Sequence, residues 1–215
     1  MAEAETPSST PGAGGRSAVP EAAEPGPTPE PTRIPQRVLI VGLSCSGKST
    51  LARRLGEVLD CPHVELDSLY WEPGWVEADV EVFRGRVQAA TAGDRWVTCG
   101  NYWSKLGPYL WPRADTVVWL DLPLWLIEVR ALRRTLWRVL GRRRLWNGNR
   151  ERLVNLWADD ALWRFNLRHY GRISARYSTA MADPKWAHIA FYRLRSPRQV
   201  KIWLARVGDE ARSQA

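Results

Sequence analysis

The sequence predicts an α/β fold in which a central five-stranded parallel sheet lies between two layers of helices. From Arg37 onward, short apolar runs rich in β-branched residues alternate with longer segments whose apolar residues recur at helical spacing. Parallel strands need crossover helices, and these cover both faces of the sheet, which gives a three-layer α/β/α architecture. The predicted strands are 37–42, 63–66, 95–99, 116–120 and 187–194.

Helices are predicted between the strands from the spacing of apolar residues. Leucines and a valine between Leu51 and Leu59 share one face of a predicted helix. Pro123 and Pro197 mark the start of two others, because proline is favoured in the first turn of a helix. The predicted helices are 50–59, 77–92, 124–140 and one from 197 onward. The stretch 141–183 is predicted to be helical and basic, without a strand.

The first 36 residues differ in composition from the rest of the chain. They contain eight of the fifteen prolines and neither a leucine nor an aromatic residue. Such a segment buries too little apolar surface to offset the entropy lost on ordering. The sequence therefore predicts a disordered tail at 1–36 and a folded domain at 37–210.

The charge and the cysteine content of the chain indicate which ligands it attracts and which cellular compartment it fits. The 36-residue tail carries a net charge of −3 against +8 for the whole chain, so the domain carries about +11. A basic surface attracts polyanions, which include nucleotides and, without sequence specificity, nucleic acid. Three scattered cysteines fit a reducing cytoplasm better than a disulfide framework. No stretch approaches the roughly 20 uncharged apolar residues of a membrane span, so no membrane partner is predicted.

The strongest motif is a phosphate-binding loop directly after the first predicted strand. The run is Gly42-Leu43-Ser44-Cys45-Ser46-Gly47-Lys48-Ser49, which matches G-x-x-x-x-G-K-[ST] and opens a predicted helix at Thr50. The glycines let main-chain N–H groups point at phosphate oxygens, and the helix N-terminus adds partial positive charge. Lys48 is predicted to reach the β- and γ-phosphates of a nucleoside triphosphate, and the Ser49 hydroxyl to bind Mg²⁺.

Further candidate residues follow the other strands, because ligands of parallel sheets bind at the carboxyl ends of the strands. Asp67 is predicted to orient an acceptor hydroxyl or to hold a metal-bound water, with a helix or turn cap as the alternative. Asn101 and Tyr102 are equally consistent with substrate contact and with closing a turn. Asp121 is better explained as a cap for the helix after Pro123.

Arginines are concentrated after the fourth strand. Nine of them lie between Arg130 and Arg152, with one acid among them. Arg130, Arg134 and Arg138 are spaced four residues apart, so one helix face presents a row of guanidinium groups suited to stabilising a migrating phosphoryl group. The run at 142–144 beside Gly141 resembles a lid, predicted at 138–152. The alternatives for this run are a solvated basic face and a nucleic-acid patch.

Three segments together resemble a known family. They are Leu-Asp-Ser-Leu-Tyr-Trp-Glu-Pro-Gly-Trp at 66–75, Gly-Asn-Tyr at 100–102 and Arg-Ala-Asp-Thr-Val-Val-Trp-Leu-Asp-Leu-Pro at 113–123. In these segments the chain resembles the bacterial DNA topology modulation proteins, which are P-loop proteins similar to adenylate kinase and shikimate kinase. The resemblance extends over roughly 37–204 and leaves only the tail outside it.

The resemblance implies a nucleotide-kinase-like sheet with a helical basic lid, and ATP with Mg²⁺ as cofactors. It implies that Arg130 packs on the adenine and that Arg134 contacts phosphate. It also implies an aspartate immediately before Gly100, holding water on Mg²⁺, where this chain has Cys99. A neutral thiol cannot replace a carboxylate around a hard cation that prefers oxygen.

These observations predict a kinase-like phosphotransferase that binds ATP and acts on an unidentified small acceptor. Lys48, Asp67 and Arg134 are its predicted catalytic residues. The change at Cys99 favours the first alternative, a weak NTPase or a nucleotide sensor without turnover. The basic charge favours the second, a DNA-associated regulator.

Overall fold

In the part of the chain that the structure describes, seven strands form one parallel sheet and one hairpin. In this computed structural model, the described residues are 28–140, 147 and 162–214. The strands are β1 (Arg37–Gly42), β2 (His63–Glu65), β3 (Trp71–Glu72), β4 (Val76–Glu77), β5 (Trp96–Cys99), β6 (Thr116–Leu120) and β7 (Ala190–Leu194). The main sheet has the order β2-β5-β1-β6-β7 and all its pairs are parallel, whereas β3 and β4 form an antiparallel hairpin.

Seven α-helices are described along the same ranges. They are α1 (Lys48–Leu59), α2 (Leu66–Tyr70), α3 (Val80–Ala90), α4 (Trp103–Leu110), α5 (Leu124–Leu140), α6 (Leu162–Ala182) and α7 (Pro197–Ser213). The predicted α/β architecture with five parallel strands is confirmed. None of the described helices is both long and apolar enough to cross a membrane.

Side chains of the central strand alternate between two cores, one on each face of the sheet. Val38 and Ile40 belong to the core that includes residues of α1 and α7, whereas Leu39 and Val41 belong to the core that includes residues of α3, α4 and α6. All four are at most 4% exposed. Successive side chains of a strand point to opposite faces of the sheet, and helices cover both faces. The strand is therefore apolar at every position instead of at every second one.

Several predicted boundaries are corrected by the structure. The predicted helix at 77–92 begins only at Val80, because Asp79 accepts hydrogen bonds from the main-chain N–H groups of Glu81 and Val82 and caps it there. Residue 77 instead belongs to the hairpin. The sequence analysis missed this hairpin together with α2 and α4, because they are too short for a periodic pattern.

The described part of the N-terminal segment, 28–36, packs against the domain. The carbonyl of Thr28 accepts a hydrogen bond from Arg206 at 3.0 Å, and the N–H of Thr32 donates to the hydroxyl of Tyr192 at 2.9 Å. These hydrogen bonds connect part of the predicted tail to the domain, whereas the boundary at 36 stays a prediction. The composition of the segment indicates how much apolar surface it can bury, whereas these two contacts are hydrogen bonds made by its main-chain groups. Residues 1–27 lie outside the described ranges, as does nearly all of the lid predicted at 138–152.

The sheet order brings three loops to one edge. β1 lies between β5 and β6, and β5 lies next to β2. The segments that follow β1, β5 and β2 therefore leave the sheet side by side at their carboxyl ends, where ligands of such sheets bind. They contain the phosphate-binding motif, the turn at Gly100 and the start of α2.

One carboxylate at the opposite edge anchors the entry into β1. Asp115 accepts hydrogen bonds from the main-chain N–H of Gln36 and of Arg37, the latter at 2.8 Å, and from the hydroxyl of Thr116. We expect Asp115→Ala to lower the free energy of unfolding by about 2–3 kcal/mol, because it leaves two main-chain donors without this acceptor. Asp94→Ala is the matched control, since that carboxylate is 98% exposed and its ion pair with Arg37 should contribute roughly 0–1 kcal/mol.

Urea denaturation of both variants measures these losses. Equal losses for the two substitutions would show that Asp115 does not anchor the strand.

Candidate functional site

The phosphate-binding motif forms a tight loop between β1 and α1. Gly42 has φ 138° and Gly47 has φ 104°, values that favour glycine. A Cβ at Gly42 would lie 2.6 Å from the carbonyl oxygen of Leu120, so only glycine fits there. The N–H of Ser46 donates to the carbonyl of Leu43 at 3.2 Å and closes the turn. The sequence motif thus has the strand, loop and helix that its chemistry requires.

Side chains from three other elements hold alternate carbonyls of this loop. The donors come from the turn after β5, from α6 and from α5. The pairs are Asn101 to Gly42, Asn166 to Ser44 at 3.4 Å and Arg130 to Ser46 at 3.0 Å. A carbonyl that is held from outside fixes the orientation of its planar peptide unit, so the N–H of the following residue, which belongs to the same unit, points in the opposite direction.

Lys48 lies against the loop that it follows. Its ammonium donates to the carbonyls of Gly42 at 2.8 Å and Leu43 at 2.7 Å. The residue as a whole is half-buried, but the ammonium is enclosed by protein atoms, and this burial lowers the pKa of Lys48. Asp67 opposes the shift, and Arg134 adds to it. Asp67 and Arg134, the other two residues predicted to be catalytic, therefore each lie within electrostatic reach of Lys48.

Asp67 lies in the first turn of α2 and is held by Tyr102. The phenol donates to the Oδ1 of Asp67 at 2.6 Å. Burial, and then the neighbouring carboxylate, raise the pKa of Tyr102, so the phenol remains a neutral donor. The N-cap residue of α2 is Glu65, without a side-chain cap. The alternative role of Asp67 as a helix cap is therefore not seen.

Asn101 supports the phosphate loop instead of merely closing a turn. Its Nδ2 donates to the carbonyl of Gly42, and its Oδ1 accepts from the N–H of the same residue at 3.1 Å. Tyr177 of α6 donates to the same Oδ1 at 3.2 Å. The amide thus continues the hydrogen bonding between β5 and β1 beyond the end of β5, as far as the last residue of β1.

Asp121 is occupied by an ion pair. Its Oδ2 accepts from the Nε of Arg193 at 2.8 Å and from the Nη2 at 2.6 Å, and its side chain is 10% exposed. The same guanidinium lies 4.2 Å from the ring centroid of Trp119. This ion pair links the end of β6 to β7, whereas the helix cap that the sequence favoured for Asp121 stays a prediction.

Cys99 lies beside the proposed metal ligand. Its Sγ is 3.7 Å from the Oγ of Ser49, and the residue is 4% exposed. Burial raises the pKa of Cys99 to about 11, although Ser49 and Lys48 act in the opposite direction. The thiol is therefore neutral near pH 7. Ser49 and Thr50 lie in the first turn of α1 and are exposed. In the part of the chain that the structure describes, no three His, Cys, Asp or Glu side chains form a group that could hold a metal ion.

Two of the three arginines in the predicted row interact with the loop or with Lys48. Arg130 donates to the loop, and its Nη1 lies 3.7 Å from where a Cβ of Gly47 would be. Arg134, one turn later, acts electrostatically on Lys48. The side chain of Arg138 and the run at 142–144 lie outside what is described.

Asn166 was missed by the sequence analysis. It is fully buried on α6 and contacts a loop that lies 122 positions earlier in the chain. An asparagine inside a helical pattern carries no local signal of such a contact. Its one available signal was its polarity on the face that also carries Ile173 and Tyr177.

Comparisons with known proteins return kinases among the solved structures. No protein-family model and no curated protein matches the chain. It is similar to a shikimate kinase from Bacteroides thetaiotaomicron, with 14% identity, a TM-score of 0.45, and coverage of 81% of this chain and 97% of that one. It is also similar to a gluconokinase from Sinorhizobium meliloti 1021, with 18% identity, a TM-score of 0.45, and coverage of 85% and 99%.

The resemblance to the DNA topology modulation proteins is not tested by these two likenesses and stays a prediction. The fold assignment rests on the strand order and on the geometry of the loop.

The environment of Cys99 makes its reactivity dependent on pH. Because the thiolate is the reactive form and its pKa is about 11, alkylation of Cys99 by iodoacetamide should be slow at pH 8 and accelerate steeply up to pH 11. Mass spectrometry of peptides from the native protein measures the rate, and Cys45 in the half-buried loop is the internal control. Alkylation of Cys99 at pH 8 as fast as that of the denatured chain would contradict the assignment.

Proposed function

We propose that the chain is an ATP-binding, kinase-like phosphotransferase that transfers the terminal phosphoryl group of ATP to a hydroxyl of a small acceptor. The observation that carries the proposal is that Lys48 donates to two carbonyls of the loop motif and is under the electrostatic influence of both Asp67 and Arg134. A base, two cations and a phosphate cradle are the parts that phosphoryl transfer needs, because positioning and charge stabilisation supply most of its catalysis.

In this proposal the loop from Gly42 to Thr50 binds the phosphates of ATP. Main-chain N–H groups and the N-terminus of α1 face the anion, and the contributing residues are Gly42, Ser44, Cys45, Ser46, Gly47, Lys48, Ser49 and Thr50. Lys48 moves from its two carbonyl acceptors to the β- and γ-phosphate oxygens. Arg130 already lies over the loop, at a position compatible with the adenine contact that the family resemblance implies.

Ser49 fits the requirements of Mg²⁺ in part. Mg²⁺ keeps several waters and needs only one or two protein oxygens together with phosphates, so a single exposed hydroxyl at the start of α1 is a suitable ligand. When bound, the ion neutralises charge on the phosphates. The buried thiol of Cys99 contributes no oxygen and no charge on the adjacent side.

Asp67 is assigned the role of accepting the proton of the acceptor hydroxyl. The acceptor oxygen forms a bond to the γ-phosphorus, and the bond from that phosphorus to the β–γ bridging oxygen breaks, which leaves ADP. Tyr102 fixes the carboxylate of Asp67 through its 2.6 Å hydrogen bond. Arg134 would stabilise negative charge on the migrating phosphoryl group, because it lies within electrostatic reach of Lys48, whose ammonium is proposed to contact the phosphates.

A specific observation also favours a second function, a nucleotide sensor or weak NTPase. The neutral Cys99 lies where the family resemblance implies an aspartate, while the residues that would bind phosphate are retained. Such a protein would bind ATP and turn it over slowly. The DNA-associated regulator stays a prediction, because most of the arginine-rich segment on which it rests lies outside the described residues.

Lys48→Ala tests the nucleotide site. MgATP should raise the melting temperature of the wild type, because a ligand that binds only the native state stabilises it. The substitution should weaken MgATP binding by roughly 10- to 100-fold, since it removes hydrogen bonds between a charged donor and phosphate. Calorimetric titration measures the affinity, and circular dichroism without nucleotide shows whether the fold is intact. A wild type without any shift at millimolar MgATP would refute the proposal.

Cys99→Asp distinguishes the phosphotransferase from the sensor. A carboxylate beside Ser49 adds an anionic acceptor for the water shell of the metal, so we expect greater turnover and a tighter Mg²⁺ dependence with little change in ATP affinity. Transfer of label from γ-labelled ATP to a panel of hydroxyl acceptors and to water measures both activities. Cys99→Asn is the control, because it has the same shape without charge.

Two results would count against this account of Cys99. Equal turnover in the Asp and Asn variants would show that charge at this position does not matter. Lower stability of the Asp variant without any gain in turnover would place Cys99 in the core and outside the site.

A further inference from the structure

Two side chains donate hydrogen bonds to one carbonyl at the start of the phosphate loop. Lys48 donates to the carbonyl of Gly42 at 2.8 Å, and the Nδ2 of Asn101 donates to the same oxygen. A carbonyl oxygen has two lone pairs, so both bonds can exist together. The same asparagine also accepts from the N–H of Gly42, which fixes the peptide group on both sides of that residue.

We propose that Asn101 is a positioning residue of the nucleotide site, which keeps the loop in shape when Lys48 leaves the carbonyl of Gly42 for a phosphate. This inference rests on the proposed function. If Lys48 were the sole donor to that buried carbonyl, its movement would leave an unsatisfied acceptor, and this cost would oppose phosphate binding. Asn101 removes the cost, because its bond to the carbonyl persists in both positions of the lysine.

The attachment of Asn101 fixes its amide in the required orientation. Its Oδ1 receives two donors, the N–H of Gly42 and the hydroxyl of Tyr177, so the nitrogen must face the carbonyl. Burial raises the pKa of Tyr177, so that its hydroxyl stays protonated as a donor. An amide carries its donor and its acceptor on separate atoms, so the one side chain pairs with both the carbonyl and the N–H of Gly42.

Two substitutions test whether MgATP affinity depends on the N–H donor of the Asn101 side chain. Asn101→Ala should weaken MgATP binding about tenfold, because moving Lys48 then leaves the carbonyl of Gly42 unpaired. Asn101→Asp should weaken it further, since a carboxylate faces that carbonyl without a proton to donate and attracts the ammonium of Lys48 away from the phosphates. Tyr177→Phe is the matched control, which leaves both contacts to Gly42 intact and should change the affinity no more than about twofold.

The experiment is a calorimetric titration of full-length wild type and variants with MgATP and with inorganic tripolyphosphate. Both probes should lose affinity by the same factor in each Asn101 variant, because the interaction concerns the phosphates alone. The melting temperature without ligand, which a purely structural role would change, is measured in parallel. Here we expect a smaller effect on stability than on binding, since Lys48 still pairs with the carbonyl in the free protein.

The results distinguish a failure of this inference from a failure of the proposed function. A wild type that binds neither probe overturns both. A wild type that binds MgATP, with Asn101 variants that bind it equally well, overturns the inference alone. It is also overturned if both Asn101 variants fail to fold, if Tyr177→Phe matches their loss, or if tripolyphosphate binding is unaffected while MgATP binding falls.

Discussion

The main-chain carbonyls of the phosphate loop need donors, and this requirement connects distant parts of the molecule to the site. A loop that presents N–H groups to an anion turns other carbonyls away from it, toward the protein. Here the donors are Asn101, Asn166 and Arg130, from three elements that follow the loop by more than fifty residues. The sheet order makes this possible, since β1 lies in the centre with neighbours on both sides.

Burial and neighbouring charges together determine the pKa of the ionisable groups at the loop. Enclosure lowers the pKa of Lys48, and a neighbouring arginine acts in the same direction, while Asp67 offsets part of both effects. The site thus contains a cation that is costly to keep charged without an anion beside it. Binding of a polyphosphate would supply that anion. The same reasoning explains why Cys99, enclosed at the same edge of the sheet, remains a neutral thiol and leaves the negative charge there to Asp67.

The surroundings of Asp67 are the part of the candidate site about which the structure adds most to what the sequence predicts. The sequence was consistent with two roles for Tyr102, substrate contact and closing a turn, and the structure shows a third, since the phenol donates a hydrogen bond to the carboxylate of Asp67. That aspartate lies in α2, which directly follows β2 and precedes the short hairpin. Such short elements have too few residues for a periodic signal, so they could not have been predicted from spacing.

Local patterns in the sequence determined the elements that repeat a period or a motif. The buried runs of β1, β5 and β6, the phosphate loop and the start of α7 after a proline are set by neighbouring residues, and all of them were predicted. The roles of Asp121, Asn101 and Asn166 depend on partners 59 to 122 positions away, at Arg193, Gly42 and Ser44. Only the tertiary structure decided these roles, because a polar side chain satisfies its hydrogen bonds with whichever partner the fold brings near.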